Sequence, residues 1–314
     1  MEQKLSLRKE ADAKLKEFDI EAYTIGVKRR DKVFEIVGLL ATFLVLLFLF
    51  AISVDLLIDG WVRIKDAKFY TSYPSRFPEE AGILSSWVGT LYVMLGAIFW
   101  AVVLGIPAGI YLEEYGGKGR LARIIEANIS NLAAVPSIVY GLLALGVFVY
   151  RFKFGESVLT AGLTLGLLML PVVVVATRES IRRIPRSIRE AAYALGATRW
   201  ETLFHHILPY SLGGIFTGLI IAASRAIGET APLITVGALT FIAFLPPPPW
   251  EDFLGMLMSP FTVLPIQMYN WVSRPQEAFH TNAAAAGFIL LVIALLMNSV
   301  AFYLRYKVRR KYQW

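Results

Sequence analysis

The sequence predicts an all-α polytopic membrane protein with six transmembrane helices and with its N- and C-termini in the cytoplasm. Hydrophobic residues make up 56% of the 314 residues and charged residues only 18%, whereas a soluble domain carries about 25% charged residues. Several uncharged runs reach the roughly 20 residues that a helix needs to cross a bilayer. Lys and Arg concentrate in every second connecting segment, as the positive-inside rule requires of cytoplasmic segments.

The N-terminal part is predicted to be a cytoplasmic tail followed by one membrane span. Residues 1–32 mix Lys and Arg with Glu and Asp and form the tail. The first transmembrane helix covers residues 33–58 and is built on the uncharged run Ile36–Val54. Residues 59–83 are polar and are predicted to form an external loop.

The remaining spans lie in a transmembrane core of residues 84–306, and residues 307–314 form a basic cytoplasmic tail. A cytoplasmic loop at 177–209 interrupts the core. The other apolar runs that predict spans fall within Ala81–Leu112, Ala127–Tyr150 (which contains Pro136), Ser157–Thr177 (which contains Pro171) and Ala278–Leu304.

The number of spans depends on residues 211–245, where Arg225 and Glu229 interrupt an otherwise uncharged region. One long helix gives six spans, whereas two crossings joined at these residues give seven and place the C-terminus outside. Six spans leave 23 Lys and Arg in the inner segments and 7 in the outer segments. Seven spans would move the basic C-terminal tail outside. The positive-inside rule therefore favours one continuous helix here.

The external loop before the last span has an unusual composition. Residues 246–250 contain four consecutive prolines and a tryptophan and predict a stiff, extended segment. Residues 264–271 contain Tyr and Trp, which are enriched at membrane interfaces. The loop either docks an external partner or serves as a rigid connector, and the sequence favours neither.

A polar stretch at residues 186–209 predicts two short helices between two membrane spans. Pro185 precedes the first helix, and Gly196 suits its end, where a left-handed residue is wanted. Thr198 to Glu201 has the capping-box pattern that begins a second helix, which Pro209 is expected to close. The first helix contains several small residues, so its backbone can approach another protein closely. This favours a helix that docks in a groove of a partner over an ordinary cytoplasmic loop.

The same stretch resembles the EAA loop of the permease subunits of ABC importers. The match runs from Glu190 through Gly196 to Pro209 with the spacing of that motif, except that His206 stands where the motif has isoleucine. In that family the loop forms cytoplasmic coupling helices that sit in a groove of the ATPase. The resemblance therefore implies the type I ABC importer permease fold. It assigns ATPase coupling to Glu190, Ala191, Ala192, Gly196, Leu208 and Pro209.

Arg225 and Glu229 are the ionisable residues of the fifth predicted span. An Arg at the centre of a membrane helix costs about 2.5–3.5 kcal/mol on insertion scales, so such residues are functional candidates. In a continuous helix, residues four apart share one face, so the two charges are expected to neutralise each other. The alternative is an ion pair that only fixes helix packing, which an apolar pair would do without that cost. The planar guanidinium suits an oxyanion because it donates two parallel hydrogen bonds.

The segment from Arg225 to Leu233 resembles one branch of these permeases, the PstA type of phosphate importers, and residues 135–141 are similar to that branch as well. The resemblance covers about residues 84–306. It implies a pathway for inorganic phosphate that includes Arg225, Glu229 and Thr230. We expect phosphate to compete with Glu229 for Arg225, while repulsion by Glu229 keeps the anion mobile, because strong retention stops conduction.

The resemblance also implies the partners of the chain. They are a second, PstC-like permease, two PstB-like ATPase subunits that bind ATP and Mg²⁺, and a PstS-like external phosphate-binding protein. The sequence has no G-x-x-x-x-G-K-[ST] loop of its own. We therefore expect a multi-pass transport subunit of the cell membrane that is not an enzyme and has no catalytic residues, no metal and no cofactor.

Several alternatives remain at the level of sequence. Within the same class the chain is a PstC-like paralogue or a permease for another oxyanion such as sulfate or molybdate. A secondary carrier or a channel belongs to a different class, and the coupling loop argues against it. A regulator that reads DNA with residues 186–209 is disfavoured, because a short element tethered to the membrane at both ends could hardly enter a major groove. We expect no nucleic-acid partner.

Overall fold

The computed structural model describes residues 20–117 and 119–311. Most of the predicted N-terminal tail and the last three residues of the basic C-terminal tail lie outside the described residues. The chain divides into two compact units, Met1–Asp55 and Leu56–Trp314. The described residues are organised as helices, with one isolated β-bridge between Ser157 and Pro260.

The first helix, α1 (Ile20–Ile64), contains the first predicted span and extends beyond it at both ends. Its residues from 27 to 50 are all exposed. From Val33 to Phe50 most of these side chains are large and apolar. A helix that is hydrophobic all round and exposed in isolation is suited to a lipid environment.

The second unit is built from further helices that differ widely in length. Three of them continue into π-helical turns, at Tyr111–Tyr115 after α3, Leu145–Arg151 after α5 and Leu203–Ile207 after α8. The helices are α2 (Ala67–Thr71), α3 (Leu84–Ile110), α4 (Arg120–Ala134), α5 (Ser137–Ala144), α6 (Val158–Arg182), α7 (Arg186–Ala194), α8 (Arg199–Thr202), α9 (Leu208–Ala226), α10 (Ala231–Val236), α11 (Phe253–Met258), α12 (Leu264–Val272) and α13 (Glu277–Lys311).

Six segments of the described chain are suited to cross a membrane when a bent pair counts as one. Five are continuous helical stretches that are long and apolar enough, namely Val27–Ile64, Leu84–Tyr115, Val158–Arg182, Arg199–Ala226 and Glu277–Val308. The sixth is the pair Arg120–Ala134 and Ser137–Arg151, which consists of α4 and of α5 with its π-helical turn and is bent by 112°. The predicted all-α, six-span architecture is therefore confirmed, but the third span is sharply broken at Val135 and Pro136.

The prediction of one continuous helix over residues 211–245 is wrong. Helix α9 ends at Ala226, and α10 begins only at Ala231. Pro232 accounts for the break, because in a continuous helix it would lack one backbone hydrogen bond and its ring would clash with the carbonyl of Gly228, four residues back. Glu229 therefore lies in the break and not on the helix that carries Arg225.

Helix α6 is the centre of the second unit and packs against both α3 and α9. The close approach depends on small residues. A side chain at Gly105 of α3 would meet Val173 of α6 at 2.9 Å, and one at Gly109 would meet Thr177 at 2.6 Å. In membranes, where lipid is as apolar as leucine, such small-residue contacts let backbones pack closely and hold helices together.

We expect Gly105→Leu to disrupt the contact between α3 and α6. Overpacking a core contact costs about 1–3 kcal/mol, so the thermal unfolding midpoint of the detergent-solubilised protein should fall. Gly146→Leu is the matched control, since nothing lies within 4 Å of a side chain added there. Loss of the monodisperse peak on size-exclusion chromatography after heating measures the midpoint. Equal midpoints for the two variants would contradict the close packing.

The second unit contains a smaller hydrophobic core, formed by Phe69, Trp271 and Phe279 with neighbouring apolar residues. The Trp271 ring lies 6.0 Å from Phe69 and 6.4 Å from Phe279, measured between centroids. Trp271 is fully buried, so its ring is packed in this core and does not face the membrane interface at which Trp is enriched. The sequence could not show this, because aromatic residues serve both in cores and at interfaces. Trp250 after the four prolines is exposed.

Candidate functional site

The first candidate site is the cytoplasmic turn between α7 and α8. Gly196 has a φ of +86°, the left-handed conformation that glycine adopts without strain. Its N–H donates to the Tyr193 carbonyl and that of Ala197 donates to the Ala192 carbonyl, both at 3.0 Å. This is the Schellman pattern that closes a helix. The predicted end of the first short helix is confirmed.

The predicted capping box is also confirmed. The Thr198 backbone N–H donates to the Glu201 carboxylate at 2.8 Å, and the Glu201 N–H donates to the Thr198 hydroxyl at 3.3 Å. Two N–H groups that lack partners at a helix start are thus satisfied reciprocally. The turn fixes the direction in which the chain enters α8.

Pro209 does not close the second helix, contrary to the expectation. The chain stays helical from Arg199 to Ala226. In the π-helical turn Leu203–Ile207, the N–H of Leu208 donates to the carbonyl of Leu203, five residues back. Pro209 then occupies the first turn of α9, where a missing N–H costs little.

The π-helical turn also accounts for the departure of His206 from the EAA pattern. A π-helical turn contains one residue more than an α-helical turn. Ile207 is buried at this point and His206 is exposed. The apolar side chain is thus supplied one position later than the motif has it. It joins a small cluster with Ile181, Ile184 and Leu203.

The six residues assigned to ATPase coupling do not share one surface. Glu190 and Ala191 of α7 are exposed, whereas Ala192 is buried. Gly196 is exposed as well, whereas Leu208 and Pro209 at the start of α9 are half-buried. Glu190, Ala191 and Gly196 can therefore touch a partner directly, while Ala192, Leu208 and Pro209 shape the packing of α7 and the entry of the chain into the membrane.

Sequence reasoning missed three large apolar side chains on the same loop. Leu195 is 90% exposed, Trp200 is 62% exposed, and Tyr193 is 41% exposed. Exposed aromatic side chains are typical anchors at protein interfaces. The available signal was their position beside Gly196 in an otherwise polar loop. We call Glu190, Ala191, Tyr193, Leu195 and Trp200 the coupling surface.

The second candidate site is formed around Arg225, in the last turn of α9. Its Nε lies 3.7 Å from Oε1 of Glu229, so the predicted ion pair exists although one helix does not carry both residues. The Arg225 side chain is 57% exposed and that of Glu229 is 20% exposed. Among residues 20–117 and 119–311, the Arg225 side chain has no hydrogen-bond partner and no second ion pair. Both Nη groups are therefore available to an anion. Thr230, the third predicted pathway residue, follows Glu229 directly and is half-buried.

The bend in the third span lies beside Arg225, which itself stands just before the break between α9 and α10. A narrow cleft next to Arg225 is lined by Val135 at the bend between α4 and α5 and by Pro171 of α6. Tyr140 also lines the cleft, and its hydroxyl donates to the Leu132 carbonyl at 2.7 Å. Irregular backbone at membrane depth occurs where it lines a cavity, and broken helices mark substrate sites in many transporters.

The two helices beyond the breaks fix the geometry of this region. A side chain at Gly141 of α5 would collide with the backbone of Pro232 in α10. Glycine therefore lets the two short helices pack directly against each other. Among the described residues, no group of three or more His, Asp or Glu has a geometry that could hold a metal ion. The ion pair of Arg225 and Glu229 is the charged feature described at this site.

The chain is similar to known membrane transport proteins. Residues 105–310 match the family model described as "Binding-protein-dependent transport system inner membrane component". The chain is 32% identical over 255 residues to the phosphate transport system permease protein PstA 1 of Mycobacterium tuberculosis, covering 80% of this chain and 81% of that protein. It is 34% identical over 237 residues to the phosphate transport system permease protein PstA of Mycobacterium leprae, covering 74% of each.

A solved structure, the inward-facing MetNI methionine ABC transporter, is similar in fold. Its TM-score is 0.56 at 19% identity, and the match covers 70% of this chain and 93% of that one. At this identity the likeness concerns the fold alone. It agrees with the arrangement of spans and cytoplasmic helices described above.

Proposed function

The chain belongs to the family of binding-protein-dependent transport system inner membrane components, and from this premise we propose that it is the permease subunit of an ATP-driven importer that forms the transmembrane pathway for inorganic phosphate. The observation that carries the proposal is Arg225, which offers both Nη groups beside the bend between α4 and α5 and just before the break that follows α9. The names of the relatives, phosphate transport system permeases at 32% and 34% identity, support phosphate as the anion.

Arg225 and Glu229 act in opposite directions on the anion. The guanidinium donates two hydrogen bonds to phosphate oxygens in the bidentate geometry that suits a tetrahedral oxyanion. Glu229, whose carboxylate is 3.7 Å from the Arg225 Nε, competes for the guanidinium and repels the anion. The Thr230 hydroxyl is the neutral neighbour that accepts or donates a hydrogen bond. A site of this kind binds strongly enough for entry and weakly enough for release.

The exposure of Arg225 supports a second permease as the other half of the pathway. A charged side chain in a membrane span faces the interior of a bundle or a water-filled cavity, because contact with lipid is costly. The described chain leaves more than half of the Arg225 side chain uncovered. A PstC-like partner closes the pathway on that side, and a PstS-like binding protein delivers phosphate from outside.

The coupling surface connects the pathway to its source of energy. Leu195 and Trp200 project from the cytoplasmic loop, and burial of apolar side chains in a groove stabilises association. Two PstB-like subunits bind ATP and Mg²⁺ and receive this surface and its counterpart on the second permease. Closure of the ATPase pair displaces the loop, and the spans then change which side of the membrane has access to Arg225.

The test is anion uptake by the complete complex in proteoliposomes that contain ATP. Phosphate taken up in the presence of its binding protein is compared with sulfate and molybdate, each with a corresponding binding protein. Uptake of phosphate that requires both ATP and the binding protein supports the proposal. Uptake of sulfate or molybdate but not phosphate overturns the substrate, and uptake without ATP overturns the class in favour of a carrier or channel.

A further inference from the structure

Arg189 stands directly before Glu190 on α7, but it is directed to the protein and not to the coupling surface. Its Nη2 donates to Oε1 of Glu114 at 2.5 Å, and its Nε donates to the same oxygen at 3.2 Å. The side chains of Arg189 and Glu114 are only 16% and 13% exposed. Glu114 belongs to the π-helical turn that ends α3. The ion pair therefore joins the coupling helix to the inner end of a membrane span.

The same guanidinium also binds the end of α6. Its Nη1 donates to the Ile184 carbonyl at 2.9 Å, and its Nη2 donates to the Ile181 carbonyl at 3.2 Å. The last carbonyls of a helix lack partners within the helix and carry partial negative charge, so a cation is favoured there. Arg189 thus connects three elements, the ends of α3 and α6 and the body of α7.

The covalent connection between α6 and α7 cannot supply this link alone. It consists of residues 183–185, and Pro185 has an extended backbone with a ψ of 139°. Apolar contact adds two small contributions from α7, the buried Ala192 and the partly buried Ile188, which packs against a cluster that includes Ile181 and Ile184. A helix attached through a bent connection keeps its orientation only if a directional contact fixes it. The hydrogen bonds of Arg189 provide that contact.

The neighbouring Glu113 binds the same π-helical turn to α6. Its carboxylate receives hydrogen bonds from Arg182 Nε at 3.1 Å and Nη2 at 2.9 Å. Two consecutive glutamates therefore fix one turn to α6 and to α7. Helices α3 and α6 also pack closely against each other at Gly105 and Gly109. A displacement of α7 is therefore expected to move both spans together.

We propose that Arg189 and Glu114 form a coupling latch through which α7 moves α3 and α6 when the ATPase pair closes. The inference rests on the proposed function and adds two positioning residues that lie outside the assigned EAA positions. Neither residue touches the anion or ATP. Without the latch, α7 follows the ATPase by pivoting at Pro185 while the spans stay behind, so ATP is hydrolysed with little transport.

The first experiment measures the anion taken up per ATP hydrolysed by the complete complex in proteoliposomes. Arg189→Gln and Glu114→Gln are each expected to lower this ratio about tenfold, which lies within the usual range of coupling between sites. ATP hydrolysis itself should persist. Glu179→Gln is the matched control, because it removes an ion pair with Arg182 inside α6, where both side chains are about half exposed. The control should retain the wild-type ratio.

The second experiment restores the link without its charges. The chain has no cysteine, so Glu114→Cys combined with Arg189→Cys gives one thiol pair at the latch. Both positions line an open cleft of about 410 Å³, which admits a short, reducible, thiol-specific cross-linker. We expect the double variant to be uncoupled, to recover coupling when cross-linked, and to lose it again on reduction. A residue that only supports folding would not respond in this way.

The outcomes separate the latch from the proposed function. An unchanged ratio in both Gln variants, failure of both to assemble with the ATPase, or a cross-link that restores nothing overturns the latch. If the wild-type complex does not take up phosphate, the proposed substrate fails instead. The latch is then judged by how strongly the loaded binding protein stimulates ATP hydrolysis, a readout that does not depend on which anion is moved.

Discussion

Arg225→Gln is expected to reduce phosphate uptake about 100-fold or more, because two charged hydrogen bonds are lost at about 1.5–3 kcal/mol each. ATP hydrolysis should continue, since Arg225 lies in the membrane span α9 and not on the coupling surface. The measurement is uptake of radiolabelled phosphate by proteoliposomes, with ATP hydrolysis followed in the same samples. Normal uptake with unaffected hydrolysis would remove Arg225 from the pathway.

Two matched variants show whether charge or geometry matters at this position. Arg225→Lys keeps the charge and loses the planar fork, so we expect uptake between that of the wild type and that of Arg225→Gln. Glu229→Gln removes the competitor at 3.7 Å. It should lower the phosphate concentration at half-maximal uptake and also lower the maximal rate, because the anion is released more slowly. A raised maximal rate in Glu229→Gln would contradict the role of Glu229 in release.

In the structure a helix break separates Arg225 from Glu229, and the sequence contains the residues that cause it. Charge counting could decide the side of the C-terminus, but it could not distinguish a continuous helix from one that breaks and resumes. Gly228 and Pro232 are the local signals of a break, and they flank Glu229. Because Glu229 lies in a turn, its carboxylate can approach or leave Arg225 through a local change of backbone. A carboxylate on the same helix would have been held at a fixed spacing.

The local features of the coupling loop could be predicted from sequence, whereas its tertiary contacts could not. Gly196 and the capping box at Thr198 depend on neighbouring residues only, and both are confirmed. The burial of Ala192 and the exposure of Leu195 depend on which face of α7 packs against the spans. The partner of Arg189 lies 75 residues away, and no short pattern reports a contact at that separation. The docking of the loop on an ATPase remains a proposal.

Gly196→Leu is expected to uncouple ATP hydrolysis from transport while the protein still inserts into the membrane. The backbone at Gly196 has a φ of +86°, and a left-handed conformation costs a non-glycine residue about 1–2 kcal/mol. Nothing lies within 4 Å of an added side-chain carbon, so the strain is in the backbone and not in packing. The turn relaxes by changing the direction of α8, and Leu195 and Trp200 then no longer present one surface.

Gly196→Asn separates this explanation from a simple effect of size. Asn enters the left-handed region several times more readily than other non-glycine residues, so we expect uptake near the wild-type level. Gly196→Leu should show basal ATP hydrolysis that the loaded binding protein no longer stimulates, and weaker retention of the ATPase during purification. Equal uptake by the Leu and Asn variants would mean that the turn does not orient the coupling surface. Leu195→Asp leaves the turn intact. If it alone uncouples ATP hydrolysis from transport, the coupling surface makes the contact with the ATPase, and Gly196 acts by orienting that surface.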